Sequence, residues 1–546
     1  MAKAARPAWR MESLPYRPLL RLGGRLARHG LAHLRETAWV RRGQLFIDGI
    51  RYRLEGYGLS FSARLEQAQV PEGGPVRKIG ALRFTLEWVP MTNRDGTEIA
   101  HTAARLSLHV GPINLTTNRN VWSDTIHESV LVSAYPLALW LAANWWRLHW
   151  EPLLAPGTPV GLDWRKAHEM EAAGYGFVWP HSLWASDGEA MHIWAVAART
   201  QDRKRKVVHY LKGTGGPVSV PLKEFTEGAE DFLAATVWRL KVRTRRYPDC
   251  ALRRLWDGLC EDRGSVKRAE WRRFEAELGF ALGQCPNGLM EKALALKDAM
   301  GRAVSELLPA YGKAAGLAFA PLEALAGTPG VAGRPTDPRS PGQKTIPQGA
   351  SWSQAAITAC EIRVAIGVTD GALEDKVLYE LLGITKEAAN TPSLGAHARA
   401  AVGIPALPGE YRILAREGDR PTRRFEWARL FADFLLPEEA RGAWLASTDL
   451  MTWRQKYQRA FAAEILCPIE ALKAYLNGNT SAAGVDLAAR DFGVPVDIVE
   501  AVLAYNGILS SRVRFGDPKT GFPYYRGRSA SQYAWLPGGK GVATFR

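Results

Sequence analysis

Apolar and polar residues alternate between Gln44 and Thr117 in the manner that is typical of β-strands. The alternation is clearest in QLFIDGIRYRLEGYGLSFSARL, IGALRFTLEWV and ARLSLHVGPINL. Because successive side chains of a strand point to opposite faces, this pattern predicts an antiparallel sheet. The dipeptides Asp48-Gly49 and Asp95-Gly96 favour tight turns, so they predict hairpin connections within that sheet.

Later segments change to a helical period. A tryptophan-rich helix is predicted from Ala134 to Trp150, and a mixed stretch with a turn at Asp187-Gly188 follows it. Between Leu222 and about Phe319, apolar residues recur every three to four positions, which indicates helices. Residues 327–350 are dense in Pro and Gly and are predicted to form a linker.

These patterns predict a multidomain α+β protein, with a β-rich N-terminal half and a mainly helical C-terminal domain. The expected divisions are a basic leader (1–43), a mixed β-rich domain (44–221), a helical region (222–326), the linker (327–350), a helical domain (351–514) and a basic aromatic tail (515–546).

Composition places this 546-residue chain among ordinary globular proteins, since 47% of its residues are hydrophobic and 23% are charged. The five cysteines show neither C-x-x-C pairing nor disulfide-like spacing, which is typical of thiols in a reducing cytoplasm. No uninterrupted apolar run reaches the ~18–20 residues that a membrane-spanning helix requires. A cytoplasmic location without a membrane span is therefore expected.

The net charge of +16 is unevenly distributed. Residues 350–514 sum to −2 and the tail to +4, so residues 1–349 carry +14. Candidate nucleic-acid or anion contacts fall in two clusters: Arg203, Lys204, Arg205 and Lys206, and then Lys241, Arg243, Arg245 and Arg246. Further basic pairs are Arg253-Arg254 and Arg272-Arg273. Such clusters bind phosphates in many proteins, but a solvated basic surface gives the same pattern.

The tryptophans and histidines that could form binding or metal sites are better explained by structural roles. Trp140, Trp145, Trp146 and Trp150 have helical spacing among leucines, which is more typical of a core or interface than of an aromatic binding platform. His127-Glu128 and His168-Glu169 begin like zinc motifs. However, Leu131 and Ala172 stand where the second histidine of such a motif is required.

Three blocks of the C-terminal third carry a family resemblance. They are RRFEWARLFADFLL (Arg423–Leu436), YQRAFAAEILCP (Tyr457–Pro468) and DFGVPVDIVEAVLAYNGIL (Asp491–Leu509). In order and spacing they resemble the ImmA/IrrE-like metallopeptidase family, whose motifs usually read RRFTLAHELGH and then E-A-N-x-F-A-A-E-L-L-M-P. The resemblance covers roughly Ser351 to Ser510 and implies a zincin-like helical domain.

The residues that the family uses for catalysis are replaced. Arg429 and Asp433 occupy the positions of the two zinc-binding histidines, Leu430 that of the catalytic glutamate, and Tyr457 that of the third ligand. Arg offers only donors and cannot bind a cation, and Leu cannot accept a proton. The sequence therefore predicts no metal, no cofactor and no peptidase chemistry here. An i,i+4 salt bridge between Arg429 and Asp433 is expected instead, worth ~0.2–0.5 kcal/mol if exposed.

A purely structural interpretation of the same segment is an amphipathic helix. Its core face would be formed by Phe425, Ala428, Phe431, Leu435 and Leu436.

The resemblance implies a non-catalytic recognition or regulatory protein in bacterial stress response, toxin–antitoxin control or defence against phage and plasmids. Its partner would be a protein: a repressor, an antitoxin or a defence component. The first alternative is a nucleic-acid-binding protein that uses the basic N-terminal half and tail. The second is a hydrolase with an unrecognised active site in the N-terminal half.

Overall fold

The computed structural model of the chain describes residues 38–41, 44–47, 50–55, 62–65, 82–89, 97–120, 123–153, 160–174, 178–198, 208–214, 216–244, 249–311, 315–339, 351–391, 394 and 398–509. The described N-terminal half contains several sheets together with helices, and the described C-terminal half is mostly helical. The α+β class expected from the sequence is confirmed.

The strands of the N-terminal half are β1 (Ala38–Arg41), β2 (Gln44–Ile47), β3 (Ile50–Glu55), β4 (Ser62–Leu65), β5 (Leu82–Trp88), β6 (Ala103–Val110), β7 (Ile113–Asn114), β8 (Asn118–Asn120), β9 (Ile126–His127), β10 (Val130–Ser133), β11 (His181–Ser186), β12 (Ala190–Val196), β13 (Val208–Tyr210) and β14 (Val218–Pro221). The helices up to residue 327 are α1 (Glu98–His101), α2 (Tyr135–Ala143), α3 (Trp145–Trp150), α4 (Leu162–His168), α5 (Leu222–Thr244), α6 (Ala251–Arg263), α7 (Val266–Glu277), α8 (Asn287–Met300), α9 (Val304–Tyr311) and α10 (Ala315–Gly327).

The C-terminal elements are β15 (Val331–Gly333), α11 (Ser351–Ala365), α12 (Asp375–Leu382), α13 (Lys386–Asn390), β16 (Ala400–Pro405), β17 (Tyr411–Leu414), α14 (Arg420–Leu435), α15 (Glu438–Arg441), β18 (Leu445–Thr448), α16 (Trp453–Leu466), α17 (Ile469–Leu476), α18 (Ala482–Phe492) and α19 (Val496–Tyr505).

The chain divides into two compact units. The first comprises residues 1–145, 165–184 and 190–269, and the second comprises residues 146–164, 185–189 and 270–546. This division differs from the boundaries expected from the sequence, because residues 146–164, 185–189 and 270–326, which precede the expected linker, belong to the second unit. Local composition does not reveal this division, because the division depends on contacts between residues that are distant in sequence.

An antiparallel sheet with the order β1-β2-β3-β4-β5-β6-β10, in which β7 also pairs with β6, is the largest sheet of the first unit. Ile47 pairs with Ile50, which matches the hairpin predicted at Asp48-Gly49, although those two residues lie outside the described set. Asp95-Gly96 also lies outside it, and α1 stands between the paired strands β5 and β6. Two smaller sheets are ordered β11-β12-β14 and β13-β8-β9.

Helix α5 begins at Leu222, where the helical period was predicted to start, and packs on β5. The rings of Phe84 and Phe232 stack with their centroids 4.4 Å apart. At Gly228 the helix lies so close to β5 that a Cβ atom would overlap the carbonyl oxygen of Leu82. This glycine therefore allows the close approach of helix and strand.

The predicted tryptophan-rich helix is in fact two helices, α2 and α3, with a break at Asn144. Trp140, Trp145 and Trp146 are buried. This burial agrees with the structural role inferred from their spacing.

A four-stranded antiparallel sheet with the order β15-β17-β16-β18 forms the strand layer of the second unit. Its edge strand β15 lies inside the segment predicted to be a linker, and Val331 pairs with Ile413. Residues 331–333 are therefore part of the folded sheet. The remainder of that segment is described only as far as residue 339.

Helices α14 and α16 pack against each other, and α16 also packs against α11. Asp419 caps α14 by accepting a hydrogen bond from the Thr422 amide at 3.0 Å. The five residues inferred from the sequence to form a core face are each at most 2% exposed: Phe425, Ala428, Phe431, Leu435 and Leu436. The helix is nevertheless not amphipathic, because every residue from Arg424 to Asp433 is buried. Within the described ranges, no helix has the length and apolar character needed to cross a membrane.

Candidate functional site

Asp433 lies on the buried face of α14 that meets α16 and β18. Its two carboxylate oxygens accept from Arg454 of α16, Oδ1 from Nε at 2.7 Å and Oδ2 from Nη2 at 2.6 Å. Oδ2 also accepts from the Ala446 amide of β18 at 2.9 Å. The pair is desolvated, because Asp433 is 0% exposed and Arg454 2% exposed.

The salt bridge expected between Arg429 and Asp433 is thus replaced by a pair that joins two helices. Arg429 donates from Nη2 to the Thr448 carbonyl at 2.5 Å and to Oε1 of Gln455 at 2.7 Å. The side-chain amide of Gln455 also bonds β18, since Oε1 accepts from the Thr448 amide and Nε2 donates to the Ala446 carbonyl. The correction has a simple cause: α16 supplies the polar partners, and sequence spacing along α14 alone does not reveal them.

The other two candidate residues, Leu430 and Tyr457, do not belong to this polar network. Leu430 is fully buried in the core of the second unit. Tyr457 is 3% exposed, and its hydroxyl interacts with Thr358 of α11. Burial raises the pKa of Tyr457 to about 12. The structure therefore brings Arg429 and Asp433 into one polar network and leaves Leu430 and Tyr457 outside it.

Metal binding requires several His, Cys or carboxylate donors around one point. Across the ranges that the structure describes, no group of three such residues is arranged to hold a metal ion. The histidine motifs noted in the sequence have structural partners. Nδ1 of His168 contacts the Trp184 carbonyl at 2.8 Å, and Glu169 pairs with Arg165 at 2.8 Å. Glu128 accepts from Asn114 and Thr117.

A cleft of ≈ 130 Å³ opens beside the N-terminal end of α16, within the second unit. It is lined by His149, Trp150, Pro152, Ser186, Asp187, Gly188, Glu270, Arg273, Phe274, Glu277, Lys297, Arg302, Ser305, Glu306, Ala440, Thr452, Trp453 and Arg454. Arg454 belongs both to the network around Asp433 and to the lining of this cleft. Its Nε and Nη2 donate to Asp433, while Nη1 has no hydrogen-bond partner among the described residues.

Glu306 of α9 reaches the same cleft and is 6% exposed. Its Oε1 accepts from the Thr452 hydroxyl at 2.6 Å, and no described residue satisfies Oε2. Burial raises the pKa of the Glu306 carboxyl, and the nearby Arg454 charge opposes that rise only partly. Burial therefore makes this carboxyl easier to protonate than a carboxyl in water.

The hairpin tip at residues 185–189 is held against α16. Asp187 pairs with Lys456, and its carbonyl accepts from the Trp453 amide at 2.7 Å. Gly188 adopts a φ of 96°, a left-handed conformation that suits glycine in this turn. Burial raises the pKa of the neighbouring Glu189 to about 7, and its Oε2 accepts from the Ser351 amide at 3.3 Å.

Another part of the cleft lining places a charged group over an aromatic ring. The guanidinium of Arg273 lies 3.9 Å from the centroid of Trp150 and pairs with Glu277 at 2.8 Å. Ser305 donates to the second oxygen of Glu277 at 2.5 Å. Arg302 is exposed, and burial of its stem together with the charge of Arg273 lowers the pKa of its guanidinium.

Sequence reasoning missed this cleft, although Arg454 stands near a motif that it singled out. Comparison with protein-family models, curated proteins and solved structures finds no match.

The sequence feature that could have indicated the cleft is the run WRQKYQR at the start of α16. An amphipathic helix would place several of these polar residues in solvent. Instead every residue from Arg454 to Arg459 is buried.

The basic clusters are only partly within the described residues: Arg203, Lys204, Arg205, Lys206, Arg245 and Arg246 lie outside them. Lys241 and Arg243 lie on α5, and burial lowers the pKa of Lys241. The described pairs Arg253-Arg254 and Arg272-Arg273 all have acidic partners, namely Asp257, Asp249, Glu275 and Glu277. Their charge is therefore locally compensated, which weakens their case as a phosphate-binding surface.

Proposed function

We propose that this chain is a non-catalytic recognition protein whose C-terminal region keeps a peptidase-like scaffold without its metal chemistry. One observation carries the proposal: Asp433 and Arg429, at the positions of metal-binding histidines, belong to a buried network with Arg454, Gln455 and β18. Both oxygens of Asp433 already accept hydrogen bonds, and the guanidinium groups of Arg429 and Arg454 belong to the same network.

Electrostatics supports this interpretation. A zinc ion next to Arg429 and Arg454 would meet two fixed positive charges in a desolvated site. Binding would require Arg454 to leave Asp433, and a buried charge that loses its partner costs about 3–5 kcal/mol. The network therefore favours the protein without metal.

The partner that we propose is a protein, in keeping with the resemblance to a family whose active members bind and cleave regulators such as repressors and antitoxins. Stress response, toxin–antitoxin control and defence against phage or plasmids are the proposed contexts. Because fold alone does not define function, the experiments address the metal and the partner separately.

The metal experiment measures zinc in the full chain purified without chelators, together with an Asp433→Asn variant. We expect well under one zinc per chain in both proteins. Stoichiometric zinc in the unmodified chain that disappears in the Asp433 variant would refute the proposal.

The partner experiment asks what co-purifies with the full chain, and whether it stays bound as salt is raised. We expect a protein that remains bound, since interfaces between proteins lose less affinity to salt than contacts with phosphates. A nucleic acid released steeply between 50 and 200 mM salt, as is typical of ~6–10 phosphate contacts, would favour the nucleic-acid alternative instead.

A further inference from the structure

Two residues that line the cleft beside α16 each have a buried polar atom without a hydrogen-bond partner among the described residues. The atoms are Nη1 of Arg454 and Oε2 of Glu306. Arg454 is 2% exposed and Glu306 6% exposed, so bulk solvent does not satisfy these atoms. A buried polar group left unpaired costs ~1–3 kcal/mol, more if it is charged, so a bound molecule that supplied partners to both atoms would be stabilised.

The chemistry of the two atoms indicates what they would bind. A guanidinium offers only donors. Arg454 Nη1 therefore requires an acceptor atom, which an oxyanion supplies in abundance. Glu306 accepts from Thr452 through Oε1, and its Oε2 accepts when the carboxyl is ionised and donates when it is protonated. Because burial raises the pKa of this carboxyl, the protonated form that can donate to an anion is easier to reach here than in water.

The charges around the cleft favour a negative ligand. Arg302 is exposed at the cleft and forms no ion pair with any residue that the structure describes. Lys297 adds a second cation, with its Nζ 5.3 Å from the ring centroid of Phe274. Of the acidic residues that line the cleft, Asp187 and Glu277 are already paired with Lys456 and Arg273, whereas Glu270 is exposed and opposes an anion.

We propose that this cleft binds a small molecule bearing an oxyanion, a carboxylate or a phosphate group, through Arg454, Glu306 and Arg302. Its volume of ≈ 130 Å³ exceeds the ~10–15 Å³ that one water molecule requires, and Trp150 supplies an apolar wall. Guanidinium groups suit both anions, because their donors match pairs of oxygens. This inference goes beyond the proposed function, since it does not depend on the ancestry of the C-terminal region.

Isothermal titration calorimetry of the full chain, with inorganic phosphate and acetate titrated separately at constant ionic strength, tests the proposal. We expect saturable binding of at least one of the two, which also identifies the anion class. Arg302→Ala should weaken that binding roughly tenfold, the equivalent of one charge-assisted hydrogen bond. Arg490→Ala, which removes an exposed arginine of α18 outside the cleft, is the matched control and should change nothing.

Substitutions at Glu306 test whether binding requires a polar group at this position or only a side chain of similar size. Glu306→Gln keeps a neutral donor and should bind within about threefold of the unmodified chain, whereas Glu306→Leu should lose binding. Non-saturable heats with both anions, or equal weakening by Arg302→Ala and Arg490→Ala, would overturn the proposal. A chain that carries zinc and still binds phosphate here would refute the proposed function but leave this inference intact.

Discussion

At the scale of single residues, buried ionic pairs define the region around α16. Arg454 with Asp433 and Lys456 with Asp187 are almost fully removed from water. The sequence identified Arg429 and Asp433 as positions of interest, because their spacing matches a metal motif. It could not identify Arg454 or Asp187, since their partners come from other parts of the chain.

The Arg454–Asp433 pair permits a stability prediction. Arg454→Met leaves Asp433 charged and buried, so it should lower the free energy of unfolding by ~3–5 kcal/mol. The double variant Arg454→Met/Asp433→Leu should lose much less than the sum of the single variants, because no unpaired charge remains. Urea unfolding measures all three.

The control for these single and double variants is Arg490→Ala. It changes an exposed arginine and should alter the free energy of unfolding by less than ~0.5 kcal/mol. Additive losses in the double variant would contradict a direct interaction between the two buried charges.

Glu189 predicts a dependence of stability on pH. Burial raises its pKa from 4.5 to about 7 in the folded chain, so between those values the folded state retains a proton that the unfolded state has released. Stability therefore falls as pH rises through this window, by up to about 3 kcal/mol. Glu189→Gln should be more stable than the unmodified chain at pH 8 and similar to it at pH 4.

Unfolding midpoints of both proteins measured across this pH range would show the effect. A constant difference between them would mean that Glu189 titrates with its ordinary pKa in the folded chain.

At the scale of elements, apolar periodicity located the start of α5 and the apolar core residues of α14. It gave no sign of how completely two helices are buried. Polar and apolar side chains are buried alike from Arg424 to Asp433 of α14 and from Arg454 to Arg459 of α16. Periodicity cannot predict a helix whose polar residues find partners in several surrounding elements.

Two glycines in helices of the first unit give opposite predictions. Gly228→Ala places a methyl group against the Leu82 carbonyl, so it should cost about 1–3 kcal/mol as α5 shifts from β5. Gly258→Ala in α6 meets no atom within 4 Å, and alanine should stabilise that helix by ~0.5–1 kcal/mol. Thermal unfolding compares the two variants, and a neutral Gly228→Ala would contradict the close approach of helix and strand.

At the scale of the whole molecule, the sequence was sufficient for the α+β class and for the change from sheets to helices. It was not sufficient for the boundaries. The Pro- and Gly-rich segment contributes β15 to a sheet, and residues 146–164 and 185–189 belong to the second unit. Composition reports local preference, whereas these assignments depend on pairings over long sequence distances.

The pairing of Asp187 with Lys456 also sets an order of events during synthesis. The two residues are separated by 269 positions along the chain. At a translation rate of ~5–20 residues per second, Asp187 leaves the ribosome about 13–54 s before its partner. The hairpin tip that carries Asp187 must therefore stay accessible, or be held by a chaperone, until α16 arrives. A C-terminal fragment that begins at Ser351 would never receive it, and would have to bury Lys456 without a counterion.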